Sequence, residues 1–227
     1  MRPRSAPPGV RTMTALGRAW VMVAAVASLL AASTAAHAGP TALLRIPTAE
    51  VLPDGGAYIN VASPVYSGGA ITGASTWLEN QFAASDTLEY GHDFPISNPG
   101  AGVLNAKWRF DRKGRDTCAL GVAGLTVAAP LNPIVYAMGQ RSLGESTYLA
   151  GCDWSSPRGA RAILGFRYHA NQDVTWMVGH VTGPTGWSTA GARISLGRNR
   201  RWGLAVGAFS DNRGGGRGVY VNLGRAF

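Results

Sequence analysis

Leu104-Asn105-Ala106-Lys107-Trp108-Arg109-Phe110-Asp111 alternates without a break. In an extended chain Leu104, Ala106, Trp108 and Phe110 fall on one face, and Asn105, Lys107, Arg109 and Asp111 on the other, because successive side chains of a strand point to opposite sides. Arg161–His169 repeats the pattern: Ala162, Leu164, Phe166 and Tyr168 oppose Arg161, Ile163, Gly165, Arg167 and His169. A soluble sandwich also alternates, so period two alone does not choose a solvent. The choice comes from the character of the two faces. One collects charges and glycine, while the other ends in large aromatics near the turns, as a sheet needs when lipid lies outside and a polar lumen inside.

Working outward, the pattern continues through the chain. Of 227 residues, 46% are hydrophobic and 15% charged, with 31 Gly, 13 Pro and 2 Cys, which excludes a disulfide scaffold, a collagen and a disordered chain. Segments of alternating polarity lie near 56–63, 74–83, 86–93, 103–111, 117–128, 133–141, 146–154, 160–169, 173–182, 187–196, 201–210 and 217–227, separated by Gly, Pro, Asn, Asp and Ser clusters. The expected fold is all-β, a transmembrane antiparallel up-and-down β-barrel of about 12 strands, with 10 as the alternative count. Connections near 84–85, 112–116, 142–145, 170–172 and 197–200 are short, and the other set is longer or richer in Pro and Gly. The short set is assigned to the periplasm. Trp108, Phe110, Tyr148, Tyr168, Trp202 and Phe227 then form a periplasmic girdle, and Phe94, Trp154 and Trp187 an outer one.

The amino terminus reads as an address. Arg2, Arg4, Arg11 and Arg18 precede the apolar run Ala19–Leu30, which passes into Ala36-His37-Ala38. This is the arrangement of a cleaved signal peptide, 1–38, too short in its apolar part for a span of about 20 residues. Residues 39–55 follow as a periplasmic lead-in, and 56–227 as the barrel. The chain beyond residue 38 has 17 basic and 12 acidic residues. It carries no zinc-finger spacing or basic helix, so nucleic acid is not expected as a partner.

The carboxyl end, Val219-Tyr220-Val221-Asn222-Leu223-Gly224-Arg225-Ala226-Phe227, places Val221, Leu223 and Phe227 on one row. This resembles the terminal signal that outer-membrane proteins present to the barrel-assembly machinery. Arg225 departs from that pattern, at a position where the side chain can snorkel to the interface. Ile46-Pro47-Thr48-Ala49-Glu50-Val51-Leu52-Pro53-Asp54-Gly55-Gly56 resembles the opening of the YjbH-type barrels, and Leu88–Gly91 and Pro133–Ala137 are similar to later parts of that family. The resemblance implies a barrel tied to exopolysaccharide production and export. Read physically, the same stretch is a lead-in ending in a turn, expected to cap the barrel floor.

No chemistry of an enzyme is legible. His92, His169 and His180 come with no G-x-S-x-G, H-E-x-x-H or paired-cysteine spacing, and no catalytic residue, metal ligand or cofactor is expected. Cys118 and Cys152 fall too far apart to pair in a twelve-strand scheme, but would meet if 129–145 were a loop. By parity the lumen holds Lys107, Arg109, Arg141, Arg161, Arg167 and Arg193 against Glu79, Glu89, Asp93, Asp111 and Asp153. Those six cations are the candidate ligand-binding residues. The functional expectation is a small outer-membrane barrel, in contact with outer-membrane lipids, that serves export or surface retention of an acidic polysaccharide. Two alternatives stay open: a non-conducting adhesive barrel using loops Ser63–Gly73 and Phe94–Gly102, and a lipid-modifying enzyme using His92 and His180. Fractionation checks the common premise. The chain should sediment with the outer membrane and run with heat-modifiable gel mobility, and recovery of a soluble, folded monomer without detergent would overturn it.

Overall fold

A computed structural model describes residues 42–43, 46–67, 76–126, 133–156, 158–213 and 216–227. The expected signal peptide 1–38 and most of the expected loop Ser63–Gly73 lie outside the described residues, and 63–67 belong to a strand. A two-residue pair, β1 (Ala42–Leu43) and β2 (Ile46–Pro47), precedes twelve strands. These are β3 (Ala57–Ser67), β4 (Trp77–Ser85), β5 (Leu88–Pro95), β6 (Val103–Lys113), β7 (Asp116–Thr126) and β8 (Ile134–Leu143), then β9 (Ser146–Ser155), β10 (Gly159–His169), β11 (Val174–Val181), β12 (Trp187–Leu196), β13 (Trp202–Asp211) and β14 (Arg217–Ala226). Each pairs antiparallel with its sequence neighbour, and β14 closes on β3 with Val221 opposite Ser63 and Leu223 opposite Val61. The result is a closed twelve-strand barrel, whose sheet has no open edge to recruit another chain.

The polarity of a soluble protein is inverted. Trp108, Leu120, Tyr148, Trp154, Leu164, Trp176, Val178, Val206, Val221 and Leu223 are all exposed on the outside, while Lys107, Glu89, Asp93, Asn105 and Arg161 are buried within. An exterior this apolar is solvated by acyl chains rather than water. Ring pairs occur along it, with Trp108 against Phe110 at 5.8 Å and Tyr148 against Phe166 at 5.2 Å. Arg225 lies on the outer row at the end with the short turns. Its guanidinium sits over Trp202 at 5.3 Å and Phe227 at 4.7 Å, so the cation is placed against rings rather than among aliphatic chains.

Two expectations of parity fail, for local reasons. A register shift between Arg109 and Asp111 sets Asp111 opposite Cys118, on the outward row, because a bulge resets which residues face in. Arg141 is opposite Asp116 and Tyr148, also on the outward row, since β8 turns Tyr136, Met138 and Gln140 inward. Trp187 stands at the expected end, but it faces the lumen. Residues 134–143 form a strand, so β8 separates the two cysteines. Both are free; Cys118 and Cys152 face outward two strands apart, beyond the roughly 7 Å that a bond allows.

The outer belt sets a measurable penalty. Leu164→Arg, at the middle of β10, should destabilise the barrel by about 2–4 kcal/mol in urea unfolding from lipid vesicles, whereas Arg225→Leu should change the midpoint little.

Candidate functional site

The lumen is where the ionisable side chains meet, and strand parity puts them there. Five of the six expected cations point inward: Lys107 and Arg109 from β6, Arg161 and Arg167 from β10, and Arg193 from β12. Arg141 does not join them. It pairs with Asp116 on the outside at 2.7 Å, near the short-turn end. The inward acids Glu79, Glu89 and Asp93 come from β4 and β5, on the wall across from β10 and β12 in the strand order. Lys107 on β6 adjoins the acids of β5, and Asp153 on β9 adjoins Arg161 on β10, so cations and carboxylates are interleaved around the wall rather than separated.

Most of these groups are already satisfied. Lys107 Nζ lies 3.5 Å from Glu89 Oε1, and both side chains are fully buried. Arg161 makes a bidentate pair with Asp153, at 2.8 and 2.6 Å, donates to the Thr185 carbonyl at 3.0 Å, and lies over the Trp187 ring at 5.2 Å. This locks the end with the longer connections. Asp93 accepts from Asn105 Nδ2 at 2.5 Å and from the Asn80 backbone N–H at 3.2 Å. Asn60 donates to Glu79. Arg109 donates to the Asp86 carbonyl.

Part of the lumen is filled from within. The lead-in does not cap the floor as expected but runs into the barrel. Ile46, Thr48 and Ala49 are buried, and the Leu52 N–H donates to Glu89 Oε2 at 2.9 Å. Glu50 accepts from Arg167 Nη1 at 2.8 Å and Gln140 Nε2 at 2.8 Å, with a second Arg167 bond completing a bidentate pair. Burial alone would raise the Glu50 carboxyl; the bonds and charge of Arg167, with Gln140 and Lys107 behind them, hold it below its ordinary value.

Beside the lead-in a cavity of about 360 Å3 remains, lined by Glu50, Arg167, Arg193, Tyr58, Tyr220 and Asn222 among others. Arg193 sits over the Tyr58 ring at 5.5 Å and, among the described residues, has no carboxylate partner. Two glycines make room for this pair. A Cβ at Gly203 would come 2.9 Å from Arg193 Nε, and one at Gly224 would come 2.0 Å from the Tyr58 hydroxyl. The barrel wall is bare of side chains where the arginine and the ring lie flat upon it.

The histidines do not converge. His169 faces the lumen and bonds Thr175 Oγ1 at 2.8 Å, whereas His92 and His180 face outward, His180 against Ser188 Oγ at 2.9 Å. Among the described residues no carboxylate completes the His180–Ser188 pair. Sequence parity could have added Tyr58, Asn60 and Asn222 to the lumen roster, whereas the parity that sent Arg141 inward hid Gln140. Nothing in the sequence marks Glu50 as an occupant of the lumen.

No family model matches the chain, and no curated protein matches it. Solved structures do. The chain is similar to a KdgM porin, at 11% identity and a TM-score of 0.57, covering 75% of this chain and 99% of that one. It is also similar to a KdgM porin in complex with disordered oligogalacturonate, at 12% identity and a TM-score of 0.56 over 75% of this chain and 99% of that one. A NanC porin aligns at 9% identity, with a TM-score of 0.53 over 74% of this chain and 98% of that one. At such identities the likeness establishes the fold, a twelve-strand porin-type barrel.

The Lys107–Glu89 pair yields a prediction about stability. Lys107→Met alone leaves a buried carboxylate uncompensated and should cost about 3–5 kcal/mol. Combining it with Glu89→Gln, which keeps an acceptor for the Leu52 N–H, should recover most of that loss when urea midpoints are compared in vesicles.

Proposed function

We propose that this protein is an outer-membrane channel of porin type for saccharides, and that the saccharides it favours are acidic. The observation that carries the reading is Arg193 against Tyr58. A guanidinium with no carboxylate partner among the described residues and an aromatic ring share a concave wall, with Asn222 and the Tyr220 hydroxyl nearby as hydrogen-bonding groups. A uronic-acid unit has the complementary parts: a carboxylate for a planar fork of donors, an apolar ring face for the aromatic, and hydroxyls for the amide.

The apolar exterior and the closed ladder support membrane residence. A solved porin of similar fold holds oligogalacturonate, which supports saccharide passage by analogy of fold. Exopolysaccharide export is the finer form of the reading and rests on the Ile46–Gly56 stretch. It concerns the direction of travel and the polymer, whereas the lumen chemistry concerns the class of sugar.

Proteoliposome uptake separates the acidic-sugar reading from a nonselective pore. Barrels should admit trigalacturonate in preference to maltotriose, and Arg193→Gln should reduce that preference roughly tenfold, the worth of one charge-assisted contact. Equal rates for the two sugars in the unaltered barrel would overturn the assignment.

A further inference from the structure

The contact between the lead-in and the wall has the form of a ligand complex. Arg167 and Gln140 project from β10 and β8 to the same carboxylate, with Lys107 contributing charge behind them. A bidentate guanidinium plus an amide donor is a receptor for a free carboxylate, and here the carboxylate comes from Glu50 of the chain's own lead-in. It is reached from 117 residues away in sequence, so it is no accident of neighbouring positions. The Glu50 side chain keeps 43% of its exposure and borders the open cavity, so a solute arriving there meets the contact directly.

The rest of the lead-in is seated in the lumen without joining the barrel sheet. No described strand of the barrel includes residues 48–56, and β2 pairs only with β1. Its apolar anchor is Ile46, whose Cδ1 lies 2.0 Å from where a Cβ on Gly179 would stand. A glycine at the middle of a lumen-facing strand is costly for that strand and is explained by the close approach of Ile46. Farther along, the Leu52 N–H donates to the Glu89 carboxylate.

We propose that Arg167 and Gln140 form a binding site for a saccharide carboxylate and that Glu50 occupies it as a built-in competitor, making residues 46–52 a displaceable stopper. This rests on the acidic-saccharide reading above and goes beyond it. An acidic oligosaccharide entering beside Arg193 exchanges its carboxylate for Glu50 on Arg167, and the lead-in yields. A neutral sugar has nothing to exchange. Opening is therefore coupled to the charge of the solute: a ligand shifts the equilibrium only by its differential affinity for the two states.

The test uses the full barrel in planar bilayers, with trigalacturonate as the probe and maltotriose as its uncharged counterpart. Glu50→Gln should conduct more than the unaltered barrel, and trigalacturonate should act on it at concentrations about tenfold lower, because the internal competitor is gone. Maltotriose, which has no carboxylate to exchange, should not raise the conductance of the unaltered barrel. Gly179→Val leaves Glu50 and Arg167 in place but displaces Ile46; it should shift trigalacturonate in the same direction, and it keeps the test valid if Glu50→Gln fails to assemble. Arg167→Gln should abolish the shift. If both variants conduct and respond to trigalacturonate at unchanged concentrations, the lead-in is a fixed structural element and the stopper is overturned, while saccharide passage stands. If all variants are silent to ions and to both sugars, the passage reading falls and the stopper falls with it.

Discussion

A backbone surrounded by acyl chains has no water to bond, so every N–H and C=O at that depth must find a partner in the chain itself. Closing β14 onto β3 meets this requirement, and the rest follows from it. Once the ladder is a ring, alternation leaves only two destinations for side chains. Leu104, Trp108, Leu164 and Val206 are sent out, and Asn105, Lys107, Arg161 and Ala205 are sent in. The interior then has to solve a different problem, the desolvation of several charges in a narrow tube.

The lumen solves it by pairing. Arg161 with Asp153, Lys107 with Glu89, and Arg167 with Glu50 each place a cation within reach of a carboxylate. The first two come from neighbouring strands, where cross-strand register sets the distance. The third draws its acid from outside the barrel sheet. Without Glu50, Arg167 would face the cavity as Arg193 does. The lead-in therefore belongs to the electrostatics of the lumen as much as to its shape, and this is why a segment without regular structure along residues 48–56 is held in place at all.

A twelve-strand barrel lies between those that fill completely with side chains and those that hold an open aqueous channel. Here the intermediate size is resolved unevenly. The region of Lys107, Glu89 and Ile46 is packed, while the region of Tyr58, Arg193 and Asn222 keeps its cavity. The packed part fixes cations by pairing, and the open part leaves Arg193 facing the cavity.

The strands were legible in the sequence because their signal is local. Period-two alternation from Leu104 to Asp111, or from Arg161 to His169, needs no knowledge of partners, and the count of twelve follows from turn residues between such runs. Inward orientation of Lys107, Arg161, Arg167 and Arg193 followed for the same reason. Parity misplaced Asp111 and Arg141 where a bulge or a shifted boundary changed the phase by one residue, a displacement that a period of two converts into the opposite face. The tertiary structure alone decided which charges meet. Whether Glu50 lies under the barrel or inside it depends on Arg167, 117 residues later, and on a glycine at 179 that lets Ile46 approach. Such distances are set by closure of the ring, and no stretch of chain contains them.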